Sequence, residues 1–286
     1  MNTQFWVIQA FNGISYGALL FLVGSGLSLI FGVMRIVNLS HGSYFLLGGY
    51  VALSVIWTTG SWLLAIPVAA LTIGMVGLLM ERIFLRPLGF DPLRQVLLTV
   101  GFAFLFQQAA LDIWTGNNFD INPPEALTRS IVVGGLYLPL YRVFMIAIAL
   151  VIGIVLWLIM EKTRMGAAVR ATVDDAQMAR GVGIDTSRIS MLIFSLGAFL
   201  AALGGVIGGA FLGIYPGLDF EMLPLAFAVV IIGGMGSLGG AAIGALLIGL
   251  ADNFGKALFP EISYFTLYAP MALILAVKPT GLFGRE

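Results

Sequence analysis

The feature that most limits how this chain can fold is its first long stretch, Phe5 to Met34, which contains no charged residue. As a helix it would be about 45 Å long, against roughly 30 Å for the hydrocarbon core of a bilayer. A water-soluble domain has no interior deep enough to cover such a helix on every side. Eight more apolar stretches follow: Ser43 to Trp57, Trp62 to Met80, Val96 to Thr115, Val143 to Met160, Ile189 to Ile214, Met222 to Ile232, Ala241 to Phe254 and Ile262 to Val277. Only 10% of the residues are charged, where soluble domains carry about 25%, and they bunch between the apolar stretches. Lipid is therefore the expected solvent. Backbone polar groups in lipid must be satisfied within the segment, so we expect an all-α, polytopic transmembrane bundle of seven to nine crossings. A single transmembrane domain over residues 1–286 is expected.

The range of seven to nine comes from two short stretches. Met222 to Ile232 and Ala241 to Phe254 are shorter than the roughly 20 residues a crossing needs. They flank Gly233-Gly-Met-Gly-Ser-Leu-Gly-Gly240, so two half-helices and two short spans are both open.

The net charge is zero, which gives no electrostatic footprint for nucleic acid. Cysteine is absent, so there is no thiolate metal site or disulfide framework, and no metal is expected. No basic residue precedes Arg35. The start therefore lacks the charged region of a cleaved signal peptide, and the first stretch is expected to stay in the membrane.

Short cytoplasmic loops are enriched in Lys and Arg. Arg82, Arg86 and Arg94 lie between the third and fourth stretches. Lys162, Arg164, Arg170, Arg180 and Arg188 lie between the fifth and sixth, and Lys278 and Arg285 in the tail. These three regions are expected in the cytoplasm. The stretch 116–141, with one Arg, paired Asn, paired Pro, Asp120 and Glu125, is expected outside. Counting back places the N-terminus outside, Arg35 at an inner end and the C-terminus inside.

Residues 161–188 form the most informative inner segment. Between Met165 and Val182 there is no Pro, and Ala167, Ala168, Ala171, Ala176 and Ala179 favour helix. One or two short helices on the inner surface are expected. They make either a solvated basic loop or a coupling element that docks into a motor subunit through Arg170, Asp174, Asp175, Ala176, Arg180, Gly181 and Gly183.

Two interruptions divide the apolar stretches, Arg35 to Gly42 and Gly233 to Gly240. Paired Gly-interrupted segments in the two halves of a transporter point to its substrate path. Freed backbone groups there can serve water or a zwitterion, and helix N-termini favour a carboxylate. Asn38, Ser40, His41, Gly42, Gly233, Gly234, Gly236 and Ser237 are the candidate path residues. They offer neutral donors and acceptors that pass a solute without trapping it. For His41 local hydrogen bonding and path lining are both open, whereas a metal role lacks a second ligand. For the glycine cluster close packing and gating are both open. Glycines four apart, as in Gly13 with Gly17, Gly204 with Gly208, Gly205 with Gly209 and Gly240 with Gly244, let helix backbones approach. Asp252 and Lys256 stand at ion-pair spacing. Gln107, Gln108 and Asp112 lie in the fourth stretch, with Asp112 expected near an interface. Asp120, Glu125, Asp219, Glu221 and Glu261 are expected on the outer face.

Four separated segments resemble the LivH-type branch of the branched-chain amino acid permeases: residues Val37 to Tyr50, Glu81-Arg-Ile-Phe-Leu-Arg-Pro-Leu88, Arg164 to Asp185, and Ile232 to Ala241. Asn38-Leu-Ser-His-Gly42 stands where the related sugar permeases carry an Asp-Leu-Ser-Val-Gly type sequence, and Asn38 also separates the chain from the companion LivM type. Asp175-Ala176 with Gly181 and Gly183 resembles the acidic-Ala and Gly loop that ABC permeases present to their ATPases. The resemblance implies an importer in the bacterial inner membrane, taking up branched-chain or related amino acids, or else urea, amides or other small polar solutes. The implied partners are a second, LivM-like permease in a heterodimer rather than a homodimer, two cytoplasmic ATPases, a periplasmic binding protein and membrane lipid. ATP and Mg would act in the partner subunits, with no cofactor on this chain. In keeping with that, G-x-x-x-x-G-K-S/T does not occur: Gly255-Lys256 is followed by Ala257, and Leu250 stands where the first Gly is needed. An ion-coupled transporter would need buried carboxylates. An intramembrane enzyme would need an oriented nucleophile and base, which adjacent Ser40 and His41 do not supply.

Overall fold

A computed structural model describes residues 3–89 and 91–284. Arg285, counted above with the basic tail, lies outside the described residues. The architecture is an all-α polytopic bundle of eleven α-helices with one small hairpin among the described residues. Helix α1 runs Thr3–Met34 and ends at Arg35, a non-glycine residue with φ of 53°. An extended segment leads to α2, His41–Thr59, which is closed by Gly60 in the left-handed region. Helix α3, Trp62–Met80, starts on a Ser61 cap that accepts from the Leu64 N–H, and continues through a π-turn, Glu81–Leu85. Helix α4, Pro92–Trp114, begins as the sequence chemistry demands, with Asp91 at the cap accepting from the Arg94 N–H and Pro in the first turn.

Residues 116–141 then hold a short 3-10 turn and the hairpin β1, Ser130–Val133, with β2, Leu136–Pro139, paired Ser130 to Pro139 through Val133 to Leu136. Its turn residues Gly134 and Gly135 both have positive φ, the geometry of the tight two-residue hairpin turn. Helix α5 spans Leu140–Lys162. Two short helices follow, α6, Arg164–Asp174, and α7, Ala176–Gly181, and then α8, Thr186–Leu212. Helix α9, Leu218–Gly233, and α10, Leu238–Leu258, flank the glycine cluster, and α11 covers Ser263–Val277.

Among the described residues six helices are long and apolar enough to cross a membrane: α1, α3 with the turns that continue it, α4, α5, α8 and α10. Helices α2, α9 and α11 fall outside that group, through length or polarity. The stretch Ala241 to Phe254, short in the sequence, belongs to the 21-residue α10. The helix extends the stretch backward over Gly239 and Gly240 and forward past Lys256, whose charge pairs with Asp252 within the helix at 2.8 Å.

Helices α1, α2, α8 and α9 form the centre, with α10 laid along α1 and α3 along α8. Small residues make this closeness possible. A side chain at Gly17 would meet the Ala245 carbonyl at 2.8 Å, and one at Gly205 would overlap the Phe45 carbonyl. In lipid such close packing, rather than expulsion of water, holds helices together. Helices α4 and α5 lie at the periphery. Leu93, Leu97, Phe104, Leu105 and Ile113 of α4 are each more than half exposed, as a lipid-facing surface requires.

Candidate functional site

The first interruption is a buried polar knot. Asn38, Ser40 and His41 are fully buried. Asn38 Oδ1 accepts from the Ser40 hydroxyl at 2.7 Å and from the Ser40 N–H at 3.2 Å, which turns the chain into α2. The Ser40 hydroxyl also lies 3.3 Å from the Tyr44 hydroxyl, which donates to Met80 Sδ at 2.8 Å. Thr99 Oγ1 of α4 accepts from the Leu39 N–H at 3.2 Å. Four elements thus meet here.

His41 Nε2 lies 2.9 Å from the Val23 carbonyl oxygen. Val23 is eleven residues before the end of α1, about 17 Å along the axis. The chain therefore turns back alongside α1 before α2 starts, and α2 begins deep in the bundle. Gly42 is required there, because a side chain would overlap the Asp219 carbonyl. The next residue, Ser43, donates to Asp219 Oδ2 at 3.2 Å. Asp219, expected on an outer face, is instead only 2% exposed, so it presents nothing to a partner's basic patch. Glu221 is exposed and accepts from Tyr215.

Four buried polar atoms around this knot have no hydrogen-bond partner among the described residues: Asn38 Nδ2, His41 Nδ1, Glu81 Oε2 and Asp219 Oδ1. Unsatisfied polar atoms are costly in a dry interior, and costlier with lipid around it. They are therefore the groups best placed to serve a passing polar solute or water. Glu81 and Tyr44 were not among the candidate path residues, and Asp219 was expected on the outer face. Glu81 and Tyr44 border apolar stretches, and only the fold turns them inward.

The second interruption is a tight turn. Gly234 and Gly236 have φ of 96° and 82°, and Ser237 caps α10 by accepting from the Gly240 N–H at 3.0 Å. A side chain at Gly233 would overlap the Gly240 backbone, and Gly236 lies against Gly32 of α1. The Ser28 hydroxyl reaches the Ser237 carbonyl at 3.3 Å. The tail also docks here, with Leu282 and Phe283 donating backbone N–H groups to the carbonyls of Ile232 and Gly233 at 2.9 and 3.0 Å. No hydrogen bond joins the two interruptions among the described residues. Both rest on α1, the first near Val23 and the second near Gly32.

The candidate coupling residues occupy two helices with a corner between them. Asp175 makes the corner, its carboxylate accepting from the N–H groups of Gln177 at 2.8 Å and Met178 at 2.9 Å. Asp174 precedes it and Ala176 opens α7. Arg170 donates to the Met160 carbonyl and lies 3.7 Å from Glu161, tying α6 to the end of α5. Arg180 Nε donates to the Ala176 carbonyl at 3.2 Å. Gly181 ends α7, and Gly183, with φ of 89°, lets the Ile184 N–H return to the Ala179 carbonyl. The side chains of Val169 (α6), Leu29 and Val33 (α1), Leu156 and Met160 (α5), and Ile189 and Ile193 (α8) form one apolar cluster.

Known proteins match nearly the whole chain. The model of the family "Branched-chain amino acid transport system / permease component" matches residues 9–275. The high-affinity branched-chain amino acid transport system permease protein LivH of Salmonella typhimurium is 32% identical, covering 100% of this chain and 98% of its own. The corresponding protein BraD of Pseudomonas aeruginosa is 28% identical over 97% of this chain and 95% of its own. The permease LivM of Salmonella typhimurium is 27% identical over 91% of this chain and 67% of its own. No solved structure matches. A bundle of membrane-crossing helices with broken segments, matched along nearly its whole length, is therefore a multi-pass membrane protein that belongs to the family of branched-chain amino acid transport permease components.

Proposed function

We propose that this chain is half of the translocation pore of an ATP-driven importer for branched-chain or related amino acids, working with a LivM-like permease, two ATPases and a periplasmic binding protein. The observation that carries this reading is the full-length match to relatives named as permeases of that transport system, together with a pair of short helices in the most basic loop. In this reading α6 and α7 face the cytoplasm, the N-terminus lies outside and the C-terminus inside, as the distribution of Lys and Arg supports. Beyond the six long helices, α2, α9 and α11 bring the chain toward seven to nine segments in the membrane, with α2 and α9 starting or ending within it.

The solute path runs past Asn38, Ser40, His41 and Gly42, and past Gly233, Gly234, Gly236 and Ser237. The unpartnered atoms at Asn38, His41, Glu81 and Asp219 support the first part of that path. ATP binding and hydrolysis belong to the partner subunits, whose movement reaches this chain through Asp174, Asp175, Ala176 and the residues around them.

The test is purification of the complex from cells and its reconstitution in vesicles. ATPase and second-permease subunits should accompany the chain, and uptake of labelled leucine should require ATP and the binding protein. Deleting residues 165–182 should abolish uptake while the membrane bundle stays folded. Uptake by the isolated chain, driven by an ion gradient without ATP, would refute the reading.

A further inference from the structure

We propose that Arg35 is the strut that passes movement of the α6–α7 pair to the first interruption, a positioning residue for transport. The inference rests on the importer reading above and identifies a connection within it.

The guanidinium Nη2 of Arg35 donates to the Val173 carbonyl at 3.3 Å. Val173 lies in the last turn of α6, one residue before its end at Asp174. That end carries the negative pole of the helix dipole, which favours a cation. Arg35 thus holds the corner at Asp175 from the side of α1.

The space around this bond gives it its meaning. A cleft of about 390 Å³ separates the end of α1, the start of α4 and the α6–α7 corner, with Arg35, Ile36, Gln95, Thr172 and Asp175 among its walls. The other face of α6 is fixed, because Val169 belongs to the apolar cluster with α1, α5 and α8. The corner itself has room to move. Without a member across the cleft, a push on α7 would be absorbed there.

The other end of the strut is rigid. Arg35 has φ of 53°, and only it and Thr115 among the described non-glycine residues have positive φ. Such a backbone persists only where its surroundings hold it, and strain of this kind gathers at switch points. The Arg35 N–H bonds the Phe31 carbonyl at 2.8 Å, keeping the turn on the end of α1. Three residues on, Asn38 is fully buried and directs Ser40 into α2. A displacement of Arg35 is therefore a displacement of the segment that carries Asn38, Ser40 and His41.

The test uses the whole complex, with partner permease, ATPases and binding protein, in vesicles. Uptake and ATP hydrolysis are measured together. Arg35→Gly keeps the left-handed backbone and removes the guanidinium. It should lower uptake about tenfold, the loss expected for one charge-assisted hydrogen bond, with hydrolysis little changed, so that more ATP is spent per solute. Arg35→Lys should recover part of the ratio. An unchanged ratio in Arg35→Gly overturns the proposal. So does a parallel loss of uptake and hydrolysis, or loss of assembly, since either makes Arg35 merely structural. If the wild-type complex shows no ATP-driven uptake, the importer reading itself has failed and this inference falls with it.

Discussion

Replacing Gly236 by Ala tests the second interruption most directly. Gly236 has φ of 82°, and an L-residue in the left-handed region costs about 1–2 kcal/mol. Its new methyl group would stand 3.0 Å from the Cα of Gly32. That is backbone of α1, which cannot rotate away, and overpacking of this kind costs about 1–3 kcal/mol. The two together give about 2–5 kcal/mol against the present turn. If the turn has this geometry in only one of two transport states, the balance between them shifts by at least about thirtyfold. Uptake into vesicles should fall accordingly, and the purified complex should melt earlier. Gly236→Asn separates the two contributions, because Asn tolerates the backbone but not the contact with Gly32. It should fall between Gly and Ala if backbone strain leads, and below Ala if contact leads. A Gly236→Ala complex with wild-type uptake and wild-type melting would refute the reasoning.

His41→Ala removes a fully buried ring and its bond to Val23; a cost of about 2–5 kcal/mol should appear as lower detergent stability and reduced uptake, and wild-type values in both would remove His41 from the path and the core alike. Asp175→Ala strips the cap from α7 at a cost of about 0.5–2 kcal/mol, so uptake should drop while the melting of the membrane bundle is unmoved. Equal uptake would show that the corner plays no part in coupling. Lys256→Ala leaves the carboxylate of Asp252, whose side chain is 6% exposed, without its partner at a cost of about 1–2 kcal/mol. The double change with Asp252→Asn should restore most of that loss in thermal unfolding, and a purely additive double mutant contradicts the pairing.

The bundle was legible because lipid leaves few choices: long apolar stretches become helices, and the helix breaks at residues 35–40 and 234–237 fall within the expected interruptions Arg35–Gly42 and Gly233–Gly240. The short helices α6 and α7 followed from alanine content and the absence of proline, although only Asp175, with its two accepted N–H groups, shows why there are two. What the sequence hid depends on depth and on distant partners. Asp219 reads as a loop acid, yet Ser43 and the backbone at Gly42 draw it inside. Arg35 reads as an inner-end anchor, and nothing in its neighbours announces Val173. Hydropathy likewise stops α10 just before Lys256, because it counts as a bare charge a lysine that pairs with Asp252 one turn earlier.

The docking of Leu282 and Phe283 on Ile232 and Gly233 has a consequence for biogenesis. These late residues complete a turn made much earlier in synthesis, so that turn stays unfinished until α10 and α11 have been threaded into the bilayer. A tag or truncation at this tail would therefore disturb the turn between α9 and α10 rather than a spare extremity.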